Sequence, residues 1–171
     1  MADVFHIFPW REKESLVTGQ VILRPLLDVR LQLSDEMTAT EALIDTGAPV
    51  TVFQRGVGDM LDIDFPDPGE QGDSTVILFH PDWPAVTRSV HLTLPPFEDL
   101  GWMAEVRFVL DEGLPFGLLG YEGFLSQWVV TFNAYRGYTI VESLDSFEER
   151  PLPVDTWEEF QRDWDGWDRP G

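Results

Sequence analysis

The chain alternates apolar and more polar residues over short stretches, and a period of two predicts strands. Val21 and Leu23, then Leu27, Val29, Leu31 and Leu33, show the spacing of a half-buried strand, interrupted by Pro25. Ser34, Asp35 and Glu36 read as a turn, after which residues 39–44 rise into a second strand ending at Asp45. Val50, Thr51, Val52 and Phe53 are β-prone. Residues 75–79, 89–94 and 102–110 predict further strands, and Pro95-Pro96 stops the middle one. Residues 128–132 and 138–141 predict a closing pair around a turn at 133–137. Residues 58–63 suit a short helical turn, whereas 66–73 hold two Pro and two Gly and read as a loop. Residues 1–14 have no clean period. Strands this short and this closely punctuated predict a mostly β chain closed into a small barrel.

With 171 residues the chain suits one domain and a tail. The reading divides it into an N-terminal segment (1–16), a β domain (17–144) and an acidic, aromatic C-terminal tail (145–171). Pro151 and Pro153 mark the break. Thr156 and Glu159 have capping-box spacing, and Trp157, Phe160 and Trp164 fall on one helical face. They predict a C-terminal helix that either packs its aromatic face on the domain or docks on a partner or second subunit.

Charge removes several function classes. Asp plus Glu number 31 against 11 Lys plus Arg, a formal charge of −20. Such a chain repels nucleic-acid phosphates and anionic lipid, so neither partner is expected. There is no cysteine, which excludes disulfides, thiolate nucleophiles and Cys-based zinc sites and fits a cytoplasmic protein. Residues 1–16 have no continuous apolar run, so no signal peptide is expected. His6, His80 and His91 lack metal-ligand spacing. Asp59, Asp62, Asp64 and Asp67 read as a solvated acidic loop without the order of a calcium site. No metal and no cofactor are expected. Trp83, Trp102 and Trp128 suit packing more than a cleft wall.

One run carries chemistry. In Ala42-Leu43-Ile44-Asp45-Thr46-Gly47-Ala48, apolar residues lead straight into a carboxylate, then a small hydroxyl residue and a glycine. An acid at the end of a buried strand is costly unless it is hydrogen-bonded. Gly47 has no Cβ, so backbone N–H groups can approach the carboxylate. The sequence thus supplies a sheltered acid together with the means of satisfying it.

The stretch from Leu43 to Val52 resembles the active-site motif of retropepsin-like aspartic proteases. A second motif agrees with it in order and separation. Leu118-Leu119-Gly120, then Tyr121-Glu122-Gly123-Phe124-Leu125, resembles the apolar-apolar-Gly element and short helix late in that fold, and residues 129–132 resemble the strand that follows. The likeness spans roughly 17–142, and is greatest to the short, single-lobed bacterial members. It implies a closed acid-protease barrel and an aspartic endopeptidase acting on an extended peptide. Asp45 would be catalytic, Thr46 would brace two active-site loops, Gly47 would allow close backbone approach, and Ala48 would line the cleft floor. Leu119 and Gly120 would support the site.

Peptide hydrolysis needs a base to activate water and an acid to protonate the carbonyl oxygen. Two carboxyls sharing one proton can do both. The chain has one Asp-Thr-Gly, so the reading requires a homodimer with two copies of Asp45 on its axis. A hairpin flap is also implied, at 78–83, with Phe79, His80 and Trp83 as candidate substrate contacts, or at the Gly-bearing loop 68–72. The first stretch lacks the glycine-rich tip of retroviral flaps. That departure leaves a second function open: a catalytically silent retropepsin-like dimer that binds peptides or builds an assembly.

Overall fold

The computed structural model describes residues 5–15, 18–66, 72–76, 83–95, 97–110 and 113–143. In chain order the elements are β1 (Phe5–Pro9), β2 (Arg11–Glu14), β3 (Val21–Arg24), β4 (Leu26–Leu33), β5 (Glu36–Ile44), β6 (Val52–Phe53) and α1 (Arg55–Asp59). Then come β7 (Ser74–Val76), β8 (Trp83–Leu94), β9 (Phe97–Val109), β10 (Gly117–Leu119), β11 (Trp128–Asn133) and β12 (Tyr138–Ser143).

The main sheet runs β4-β5-β10-β6-β9-β8-β7, and a further pairing of β4 with β8 closes six of those strands into a barrel. The expected mostly β, closed architecture is therefore present. Closure comes from Arg30 opposite Thr93, Leu31 opposite Leu92 and Gln32 opposite His91. The long β8–β9 hairpin turns at Pro95 with a register shift at Thr93 and Leu94. Ser34 takes φ 54° in the tight turn between β4 and β5, where Leu33 pairs with Glu36.

Period two explains how one short stack of strands serves two cores. Ala42 and Ile44 of β5, Leu119 of β10 and Phe53 of β6 face the barrel interior with Leu27, Val29, Leu31, Val90, Leu92, Val106, Phe108 and Phe124. Their neighbours Leu43, Leu118 and Val52 point the other way, into a second cluster with Ala48, Val50, Ala85, Val109 and Leu114. Strands covered on both faces read as continuous apolar runs, which is why 42–44 and 118–119 lack alternation. Burying each such side chain contributes about 1.5–3 kcal/mol, so both faces hold β5 and β10 in register.

Residues 5–14, where no period was legible, form two strands. β1 pairs with β12, itself paired with β11, and Phe8 and Val141 join the main core. β2 pairs with β3 as a separate two-stranded sheet. Val21 and Leu23, expected to be half-buried, are 64% and 50% exposed. Among the described residues no strand other than β2 pairs with β3, and alternation there does not translate into burial. The hairpin is tied to the barrel by charge: Arg11 bonds Asp28 and Glu41, and Lys13 bonds Glu41.

The short helix expected after Gly120 takes the form of consecutive turns. Leu125 and Ser126 N–H groups donate five residues back, to Gly120 and Tyr121 O, and Trp128 N–H donates to Phe124 O at 3.2 Å. Gly123 sits at φ +92°, outside helical space, which prevents a regular helix. The C-terminal helix expected in 145–171 lies outside the described residues. Among the described residues no helix is long and apolar enough to cross a membrane.

Candidate active site

Asp45 directly follows β5 and is half-buried, at the point where the two clusters meet the surface. Its loop is laced to the end of β10. Asp45 N–H donates to Leu119 O at 3.1 Å, Tyr121 N–H to Ala48 O at 2.9 Å, and Glu122 N–H to Pro49 O at 3.0 Å. Thr51 N–H donates to Glu122 O at 2.9 Å. Inside this lacing the buried Thr51 hydroxyl accepts the Gly120 N–H at 3.2 Å. The Asp-Thr-Gly motif and the apolar-apolar-Gly motif, some 70 residues apart, thus form one unit.

Gly120 is required by contact rather than by φ. A Cβ there would lie inside contact distance of Val50 O, 2.5 Å from Val50 C and 2.8 Å from Ala48 O. Gly47 plays the part its sequence position suggested: its N–H donates to Asp45 Oδ1 at 2.9 Å, and a Cβ would stand 3.2 Å from that oxygen. The carboxylate is therefore oriented by a backbone donor on Oδ1. Thr46 and Gly47 are exposed, whereas Ala48 is buried in the second cluster and Leu119 in the first.

The floor beyond the loop is apolar. Leu43, Trp83 and Phe116 are half-buried on the cluster that contains Ala48 and Val50. Of the flap candidates, Trp83 begins β8 and packs there, while Phe79 and His80 lie outside the described residues. Of the alternative flap loop, Gly72 is described, and it sits against the backbone of Ala85. Trp102 and Trp128 pack against each other, and the Trp102 indole N–H donates to Gly123 O at 2.7 Å, supporting the turn after Gly120. Among the described residues no group of three or more His, Asp or Glu is placed to hold a metal. Arg24 went unnoticed in the sequence. It lies over the Phe116 ring beside this floor, and a basic residue before Pro25 was its one signal.

A closed six-strand barrel, with an Asp-Thr-Gly loop locked to a Leu-Leu-Gly strand end, is the retropepsin-like acid-protease fold. Among solved structures the chain is similar to a retropepsin-like aspartic protease from Rickettsia conorii, with TM-score 0.51 and 11% identity over 84% of this chain and 96% of that one. No protein-family model and no curated protein matches the sequence.

Proposed function

We propose that the chain is an aspartic endopeptidase that hydrolyses peptide bonds as a homodimer, with Asp45 of each subunit forming the dyad. The observation that carries this reading is the half-site itself. Asp45 is oriented by the Gly47 N–H and anchored to Leu119, yet Thr46 and Gly47 stay exposed in the single chain. A second copy placed on a two-fold axis through that loop would complete it. The two carboxyls would share one proton, one oxygen taking a proton from the attacking water while the other carboxyl protonates the carbonyl oxygen. Exposed Thr46 would brace the two loops. The substrate would lie extended over the apolar floor, held by main-chain hydrogen bonds under a flap drawn from 78–83 or 68–72. The lack of cysteine supports a cytoplasmic setting.

The glycine-free stretch 78–83 favours the second reading, a silent peptide-binding or assembly dimer. The experiment that separates them incubates wild type and Asp45→Asn with a peptide library from acidic to neutral pH and reads cleavage by mass spectrometry. Wild type is expected to cut, and Asp45→Asn to lose about 10²-fold or more. No cleavage by either protein would leave the binding dimer as the reading.

A further inference from the structure

We infer that the outer edge of β2 is a docking strand for an extended, cationic segment of a partner protein, with Glu12 and Glu14 as its recognition residues. The surface lies outside the proposed catalytic loop, and the inference holds whether or not Asp45 is catalytic. It starts from the charge order of the strand. β2 reads Arg11-Glu12-Lys13-Glu14, and period two sends its two charge types to opposite faces. The cations turn inward, where Arg11 bonds Asp28 and Glu41 and Lys13 bonds Glu41. The acids turn outward and are exposed. Among the described residues no cation pairs with Glu12 or Glu14. Their cross-strand partners are Leu23 and Val21, both at least half exposed. The outward face of the hairpin is therefore two carboxylates beside two aliphatic side chains.

The main chain of the same two residues points to the strand's outer edge. Ser15 N–H donates to Gln20 O at 2.8 Å where the hairpin closes. Bonded and non-bonded pairs alternate along an antiparallel ladder. Arg11 and Lys13 therefore exchange main-chain bonds with β3, while the N–H and C=O groups of Glu12 and Glu14 face away from it. Among the described residues β2 pairs with no other strand. An open edge of this kind is a template for one more strand. Charge decides which strand. A second copy of the chain carries −20, and residues 145–171 hold nine acids against three arginines, so like charge opposes both. An extended segment with Lys or Arg at positions i and i+2 matches instead. Its cations repeat at the spacing of Glu12 and Glu14, so each meets one carboxylate across the new pair. Their aliphatic stems can lie over Val21 and Leu23. The acids that admit such a segment also keep the edge from pairing with another copy.

The test titrates a fluorescent peptide of alternating Lys and Val against the full chain at low ionic strength, read by anisotropy. An isomer with its lysines in one block carries the same charge without the spacing. Two further versions carry N-methyl groups on the lysine amides or on the valine amides. The alternating peptide is expected to bind more tightly than the block isomer. N-methylation of one set of amides should abolish binding, and of the other should leave it within about twofold, since only one edge of an added strand faces β2. Glu12→Gln/Glu14→Gln should weaken binding about fivefold, the effect of two exposed ion pairs. Asp35→Asn/Glu36→Gln, which removes two exposed acids at the turn between β4 and β5, changes the net charge equally and should weaken binding less than twofold. Equal weakening by the two variants overturns the inference, because attraction to the −20 field would then account for binding. Equal binding of the block isomer and of both N-methylated peptides overturns it as well, and so does an alternating peptide that does not bind.

Discussion

Replacing Gly120 by alanine drives a methyl group into the backbone of the Asp45 loop. The new carbon would lie 2.5 Å from Val50 C and 2.8 Å from Ala48 O, atoms that cannot rotate away. Ordinary contact requires the loop to retreat by about 1 Å. Overpacking of this kind costs about 1–3 kcal/mol. The retreat also lengthens the 3.2 Å bond from Gly120 N–H to Thr51 and the 2.9 Å bond from Tyr121 N–H to Ala48 O. Leaving a buried donor unsatisfied adds about 1–3 kcal/mol. The expected loss is about 4 kcal/mol, or on the order of 10 °C in melting temperature for a domain of this size. Thermal unfolding followed by circular dichroism measures it, with Gly56→Ala as the control. A Cβ at Gly56 meets nothing within 4 Å, so that variant should melt within about 3 °C of wild type. The reasoning is refuted if Gly120→Ala melts as high as Gly56→Ala, because the loop would then not depend on that close approach.

Thr51→Val should cost about 1–3 kcal/mol in urea unfolding by orphaning the Gly120 N–H, and Thr51→Ser should recover most of it. Phe53→Ala, which empties a fully buried position in the barrel, should cost about 3–5 kcal/mol in the same assay. The Asp28 carboxyl is held below its usual range chiefly by the Arg11 hydrogen bond, and the Glu41 carboxyl chiefly by Lys13. A carboxyl lowered on folding stabilises above its unfolded pKa of about 4, and that contribution disappears as pH falls through the lower folded value. Both side chains are partly exposed, so the contribution is small and salt-screened. Thermal melts should therefore show wild type losing more stability than Asp28→Asn/Glu41→Gln between neutral and strongly acidic pH. Sedimentation should show weaker dimerisation at low ionic strength, since each proposed subunit carries −20.

The fold, and the geometry of the loop around Asp45, were legible where the contacts are local in sequence. Asp45 and Gly47 are joined by a hydrogen bond across two residues, and apolar runs around them announce strands covered on both faces, whereas the need for glycine at 120 comes from Val50 and Ala48, some 70 residues earlier. β2 was not legible because Arg11, Glu12, Lys13 and Glu14 carry no apolar signal. Its strand character comes from pairing with β3 and from acids on β4 and β5 that are distant in sequence. Val21 and Leu23 misled for the same reason, since alternation records a preference for burial but not whether another layer arrives. The turns after Gly120 depend on Gly123 at positive φ, which a helical spacing of apolar residues does not reveal.

The central claim is a dyad shared between two chains, and a mixing experiment tests it most directly. Wild type and Asp45→Asn are unfolded together, refolded at varied ratios and constant total protein, and assayed on a cleavable peptide. A shared dyad predicts activity that falls as the square of the wild-type fraction, to about one quarter in an equal mixture. A linear fall, to about one half, would mean that each chain works alone and would contradict the account.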